Sequence, residues 1–242
     1  MEVIQYIHRL NMTEAGLSGT KALFLRISTD AIPMLVKFWG ISRLALDTNY
    51  PIVFKDQQSK NSYQLVLRKF SKNSKELRIN SIVDYLRDKD IETGDEITFT
   101  RISKVLGKYE YYISMKKNEC TQFCYVRAKQ LYVILKKELL PSNSNNGSLT
   151  VTKNGKEVVL SYEFVENNTL RDAATTIVGD STAKALSFNL YKVLLGNNTP
   201  KVNMSLKISG DKYIVIEEKR WEFHGLNNKN VTYEILHSEK CK

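Results

Sequence analysis

A chain of 242 residues is long for one compact domain and fits two of about 100–150 residues, each able to bury a core without disulfides or metals. With 42% hydrophobic and 26% charged residues, the composition excludes wholesale disorder, and no apolar run approaches the roughly 18 residues of a membrane-spanning helix. The net charge of +10 points to an anionic partner, nucleic acid ahead of a membrane surface. Lysine enrichment alone produces such a charge in many proteins, so position has to decide.

The opening stretch MEVIQYIHRLN lacks the apolar core and small-residue cleavage site of a signal peptide. Cys120, Cys124 and Cys241 form no paired framework, and no second Cys/His pair stands near the first two to complete a zinc site. A reducing, cytoplasmic setting is therefore expected, with no membrane partner.

Residues 2–10 (EVIQYIHRL) and 22–28 (ALFLRIS) read as strands joined by a Thr-, Ser- and Gly-rich loop over 11–21. Residues 30–39 predict a short helix capped by Thr29 or Asp30, with Pro33 tolerated in its first turn. Residues 50–55 are extended, 62–70 (SYQLVLRKF) alternate strongly, and 75–80 (KELRIN) alternate again. Asn80 or Ser81 then caps a helix through Leu86. Gly94-Asp95 turns the chain into EITFTRIS, and YEYYISMKK closes the series. Many short strands with two small helices suggest a barrel-like β domain.

In the second half, residues 122–140 carry apolar residues at helical spacing and end at Pro141, which predicts a helix. A polar turn follows, then SLTVTKNGKEVVLSYEF, a hairpin whose Asn154-Gly155 pair suits a type I′ turn. A helical region is expected over 169–195, broken near Gly179-Asp180. The hairpin VNMSLKISGDKYIVIEEKRWEF and a last strand, NVTYEILH, complete an α+β domain.

The charge is concentrated. Residues 55–78 hold seven basic residues (Lys55, Lys60, Arg68, Lys69, Lys72, Lys75, Arg78) against two acidic ones, and the tip RKFSKNSKELR carries five of the seven. Long cationic side chains on a protruding loop neutralise phosphates, and a fixed Arg reaches guanine O6 and N7. Glu76 and Arg78, two apart, share one face of a strand and suit a pair in which Glu76 accepts from a cytosine amine or holds Arg78. The plain alternative is a solvated hairpin with an ordinary surface salt bridge.

Three segments carry a family resemblance. YIHRLNMTEAGLSGTKALFLRIS resembles the opening of the effector domain of EcoRII-type restriction endonucleases, with its aromatic-Ile-basic-Arg-Leu strand, its loop of Asn, Thr and Gly, and its apolar second strand. KNSKELRI is similar to that family's basic strand with Glu and Arg two apart, and DIETGDEITF to its Gly-Asp turn into an apolar strand. The resemblance implies a pseudobarrel of the plant B-three type, gripping the major groove with two arms. The first arm would be Asn11–Lys21, with Asn11, Thr13, Ser18, Thr20 and Lys21 as contacts. The second would run over 72–78, with Lys72 on phosphate and Lys75, Glu76 and Arg78 reading bases. Arg9, Arg68 and Lys69 beside the arms complete the implied DNA-binding set. The first arm departs from the family pattern, because Ser-Gly-Thr-Lys stands where a Gly-rich stretch with His and Gln is usual, so a different recognised sequence is implied.

The same family couples its effector domain to a nuclease of the PD-ExK kind, which needs an Asp and a Glu on Mg²⁺ and a Lys beside the attacking water. Asp211, Glu217 and Lys219 in GDKYIVIEEK are the candidates; the alternative is a hairpin with Gly210-Asp211 at its turn and salt-bridged charges on its wet face. No His-x-Lys nuclease signature, P-loop or GxSxG motif is present. His8 is expected as a partly exposed strand residue, and His224 as a packing or edge residue.

The sequence thus predicts a β pseudobarrel with two short helices over 1–118 and an α+β domain of unassigned role over 119–242. Sequence-specific binding of double-stranded DNA in a bacterial or phage-like restriction-modification system follows, with no cofactor required for binding. Two alternatives stand beside it. One is a complete Mg²⁺-dependent type II restriction endonuclease with a short C-terminal catalytic domain. The other is a subunit whose C-terminal half makes protein contacts, including a homodimer through 122–140.

Overall fold

The computed structural model of the chain describes residues 2–11, 14–15, 24–45, 48–69, 76–104, 107–126, 131–135, 146–165, 190–194, 203–225 and 234–236. The chain divides into two units, one of Met1–Leu10, Ala22–Lys117 and Arg220–Lys242, the other of Asn11–Lys21 and Asn118–Lys219. The sequence-based division near 118 did not foresee that the C-terminal segment returns to the first unit.

In chain order the elements are β1 (Val3–Arg9), β2 (Phe24–Ile27), α1 (Ile32–Phe38), β3 (Arg43–Ala45), β4 (Asn49–Asp56), β5 (Ser62–Lys69), β6 (Leu77–Asn80), α2 (Val83–Asp88), β7 (Glu96–Ser103) and β8 (Tyr109–Lys116). There follow β9 (Thr121–Val126), β10 (Leu131–Leu135), β11 (Asn146–Lys153), β12 (Lys156–Val165), β13 (Leu190–Leu194), β14 (Met204–Ser209) and β15 (Lys212–Glu217). The last are β16 (Trp221–His224) and β17 (Glu234–Leu236). Among the described residues no helix is long and apolar enough to cross a membrane.

The first unit is built on an eight-stranded mixed sheet in the order β16-β1-β7-β8-β4-β5-β6-β2. Only β4 and β8 pair in parallel within it; the other neighbours are antiparallel. Alternation buries one face, where Ile4, Tyr6, Phe54, Leu65, Leu67, Ile79 and Phe99 meet Leu35 and Phe38 of α1 and Tyr85 of α2. The sheet curls: Arg220, just before β16, donates from Nη2 to the Arg26 carbonyl of β2 at 3.3 Å, so the two edge strands approach each other. The α1 carbonyls of Lys37 and Phe38 accept from the buried Arg101 guanidinium at 2.9 and 3.1 Å, which satisfies orphan groups of the helix end.

In the second unit a seven-stranded sheet runs β10-β9-β14-β15-β11-β12-β13. The Asn154-Gly155 hairpin forms as read, with φ of 51° and 75° and Lys153 opposite Lys156. The helix expected over 122–140 is not found: β9 and β10 pair antiparallel from Leu131↔Val126 to Leu135↔Gln122. Short runs such as FCYV and LYVIL fit either period, and their aromatic and β-branched residues favour the strand once β14 is there to pair. Of the helical region expected over 169–195, residues 169–189 and 195 lie outside the described residues, and 190–194 form β13.

Two local expectations also change. Neither helix has a side-chain cap: Ser28 and Ala31 precede the two turns at α1, and Ile82 precedes α2, while Ser81 adopts φ 61°. His8 is buried at 1% exposure rather than partly exposed, and its Nδ1 shares a 2.9 Å hydrogen bond with the Tyr6 hydroxyl. His224, on the edge strand, is exposed.

One buried carboxylate ties α2 to the β4–β5 hairpin. Asp56 accepts from Lys89 Nζ at 2.7 Å, Ser59 Oγ at 2.6 Å and the Gln58 N–H at 3.1 Å. Burial pushes this carboxyl up, yet the bonds from Lys89, Ser59 and Gln58, with the ammonium charge, outweigh it and hold it below the ordinary aspartate value. A lowered folded-state value means that the stabilisation is complete above the unfolded value of about 3.9 and is lost as pH falls through the folded one. Urea titrations from pH 6 to pH 2 should show an acid loss that is smaller in Asp56→Asn. Identical pH profiles would remove Asp56 from the acid transition.

Candidate nucleic-acid interface

The unburied face of β5, β6 and β2 carries the basic residues. The pleat of β5 buries Tyr63, Leu65 and Leu67 and sends Gln64, Val66 and Arg68 to the other side. The pleat of β6 buries Leu77 and Ile79 and leaves Arg78 and Asn80 with them. Cross-strand register then sets three arginines in line: Arg68 opposite Arg78, and Arg78 opposite Arg26 of β2. Asn49 of β4 extends the row beyond Arg68, and Phe24, Asn80 and Val66 form the next row. Like charges directly opposite one another weaken a sheet, a cost that Glu76 offsets between Arg78 and Arg26.

Glu76, immediately before β6, organises the row. Its Oε1 accepts from Arg78 Nε at 2.5 Å, and its Oε2 lies 3.3 Å from Arg26 Nη2. The Arg78 guanidinium also stacks over the Phe24 ring, 3.9 Å from its centroid. Held on two sides, the Arg78 side chain is 20% exposed, while Arg26 is 63% exposed. The pair expected from the spacing of Glu76 and Arg78 therefore forms. Arg26 and Phe24 were missed, since nothing local in ALFLRIS tells which strand it pairs with. Arg220 was missed for the same reason; its guanidinium reaches the Arg26 carbonyl from the far end of the sequence.

The other candidates are placed as follows. Lys69 has the opposite parity to Arg68, lies on the inner side of the pleat and is 8% exposed, so the structure separates it from the row. Arg9, 20% exposed, bonds Glu96 at 2.8 Å and Glu222 at 3.1 Å. Burial lowers its pKa, but the two carboxylates more than reverse this and keep it charged. Its partners sit on β7 and β16, which makes it a clamp across three strands. Asn11 closes a reciprocal turn: its Oδ1 accepts from the Glu14 N–H at 3.0 Å, and Glu14 Oε2 accepts from the Asn11 N–H at 3.1 Å. This reciprocal N-x-x-E turn stands at the start of the stretch read from the sequence as a loop, and the sequence reading did not single it out. Thr13, Ser18, Thr20, Lys21, Lys72 and Lys75 lie outside the described residues.

The nuclease candidates do not converge. Asp211 stands at the turn before β15 and Glu217 at its far end, about 20 Å apart at 3.3 Å per residue. Glu217 pairs with Lys153 at 3.2 Å, and Lys219 follows the strand. Among the described residues no group of three or more His, Cys, Asp or Glu is disposed to hold a metal, and a strand's length between the two carboxylates does not fit a shared Mg²⁺.

A curled, mixed eight-stranded sheet with two short helices defines the first unit as a pseudobarrel, the fold class expected for it. No protein-family model and no curated protein matches the sequence. Among the solved structures similar to part of the chain are two with DNA. One is the Arabidopsis FUS3–DNA complex, at TM-score 0.36 and 14% identity, covering 47% of this chain and 96% of that one. The other is the B3 domain of the UbaLAI restriction endonuclease with cognate DNA, at TM-score 0.35 and 15% identity, covering 47% of this chain and 67% of that one.

Proposed function

We propose that this protein binds double-stranded DNA in a sequence-dependent way, docking the β2–β6–β5 face against the major groove. The observation that carries the reading is the row Arg26, Arg78 and Arg68 in cross-strand register. The described residues that flank the two proposed arms, Phe24 on one side and Lys69 with Leu77 on the other, stand at opposite ends of this patch. Segment 11–23 enters β2 at Phe24, opposite Asn80, while segment 70–76 joins Lys69 to Leu77 at the other end. Four residue pairs lie between these ends, about 10 Å of strand, close to the roughly 12 Å width of the groove. A cationic floor of this length suits a duplex, and it draws on side-chain charge with no cofactor. The link to a restriction-modification system rests on the three sequence segments that resemble the effector family.

Binding should weaken steeply with salt, because each neutralised phosphate releases counterions. With about 4–6 phosphate contacts, log K against log salt should fall with a slope of roughly −4 to −5. A titration of a short duplex over about 50–200 mM salt measures it. A slope near zero would sink the reading.

A further inference from the structure

Beside the arginine row lies a depression of about 250 Å³ lined by Asn49, Val66, Arg68, Arg78, Asn80 and Ser81. None of its lining residues is acidic. Two guanidiniums, two carboxamides and a hydroxyl supply hydrogen-bond donors, and Val66 lies opposite Asn80 as the apolar part of the wall. The space is large enough to admit a phosphate group.

The two guanidiniums are not equivalent. Arg78 is turned toward β2, where Phe24 stacks beneath it and Glu76 holds its Nε. Arg68 stands on the β4 side, with Asn49 directly opposite. Asn80 and Ser81 close the depression where β6 ends, and Ser81 takes φ 61°, a conformation L residues adopt only under local constraint.

We propose that this depression is a seat for a single phosphate group, held by Arg68 with Asn49, Asn80 and Ser81 and walled by Arg78. The proposal rests in part on the DNA reading, since a backbone phosphodiester is its natural occupant there, but the chemistry also admits free inorganic phosphate. It divides the row by task. Arg68 fixes the register of the duplex through one phosphate, and Arg78 faces the bases.

Two arms of one experiment test it on the full chain. In the first, each phosphate of a bound duplex is replaced in turn by neutral methylphosphonate, and affinities are measured for the native protein, Arg68→Gln and Asn80→Ala. Native protein should lose roughly tenfold or more at one phosphate, as for hydrogen bonds to a charged group. In Arg68→Gln the loss at that position should vanish, while discrimination among base substitutions is retained. In the second arm, inorganic phosphate is titrated against the side-chain amide signals of Asn49 and Asn80, which should shift in the native protein and not in Arg68→Gln. Asn80→Ala, which keeps the charge, should show the same loss in weaker form. Native methylphosphonate profiles in both variants would overturn the seat even if duplex binding is strong. Phosphate-dependent shifts in a protein that binds no duplex would keep the seat and discard the DNA reading; no shifts and no duplex binding would discard both.

Discussion

Cutting the chain after Asn118 is expected to lower the unfolding free energy of the first unit by about 3–5 kcal/mol, relative to a chain that joins residues 1–117 to 220–242 by a long Gly/Ser linker. The loss follows from β16. Trp221 and Phe223 pack partly buried against the core, and the Phe223 ring lies 4.8 Å from that of Tyr6. Fully burying such a side chain is worth about 1.5–3 kcal/mol, so two partly buried rings, with the newly wetted side of Tyr6, reach the stated range. Glu222 also leaves Arg9, and β1 loses its neighbour from Gln5↔His224 to His8↔Trp221. The fit is close: at Gly225, with φ 76°, a Cβ would run into the Val3 carbonyl. The truncated fragment also bares β1 as an edge strand, a template for aggregation. Urea unfolding of the two proteins decides the matter; equal midpoints and slopes would show that β16 adds nothing to the sheet.

Arg78→Ala should relax discrimination at one or two base positions, costing roughly 1–3 kcal/mol for the preferred duplex and little for duplexes altered at those positions. Reading a base edge requires a guanidinium whose position is settled before binding. Phe24 at 3.9 Å and Glu76 at 2.5 Å settle that of Arg78. Arg26, 63% exposed, keeps more freedom and suits phosphate. Arg26→Ala should therefore weaken all duplexes about equally and lower the salt slope by roughly one. Glu76→Ala should resemble Arg78→Ala, because it releases the guanidinium it holds. Affinities of each variant for a selected site and its single-base substitutions provide the measurement. A uniform loss in Arg78→Ala would make Arg78 a phosphate contact and displace the reading position from this strand.

Period-two alternation in SYQLVLRK and KELRIN determined from sequence alone that Arg68 and Arg78 face away from the core. The same alternation already set Lys69 against Arg68, although charge counting had grouped them. The Asn-Gly pair determined its hairpin, because positive φ at two adjacent residues is a local demand. A barrel-like β domain was legible from the number of short strands and two small helices, and the pseudobarrel class was implied by the family resemblance. Which strands become neighbours was not. The choice of β2 as partner for β6 put Arg26 and Phe24 beside Arg78, and the return of Trp221–His224 to β1 brought Arg220 to the Arg26 carbonyl. Alternation tells a side chain which side of its own strand to take; pairing energy is shared between strands remote in sequence, and each strand edge offers the same N–H and C=O groups whatever its neighbour. For that reason only the tertiary structure decided which charges share the site, and whether FCYV and LYVIL, apolar at either period, became a helix or two strands.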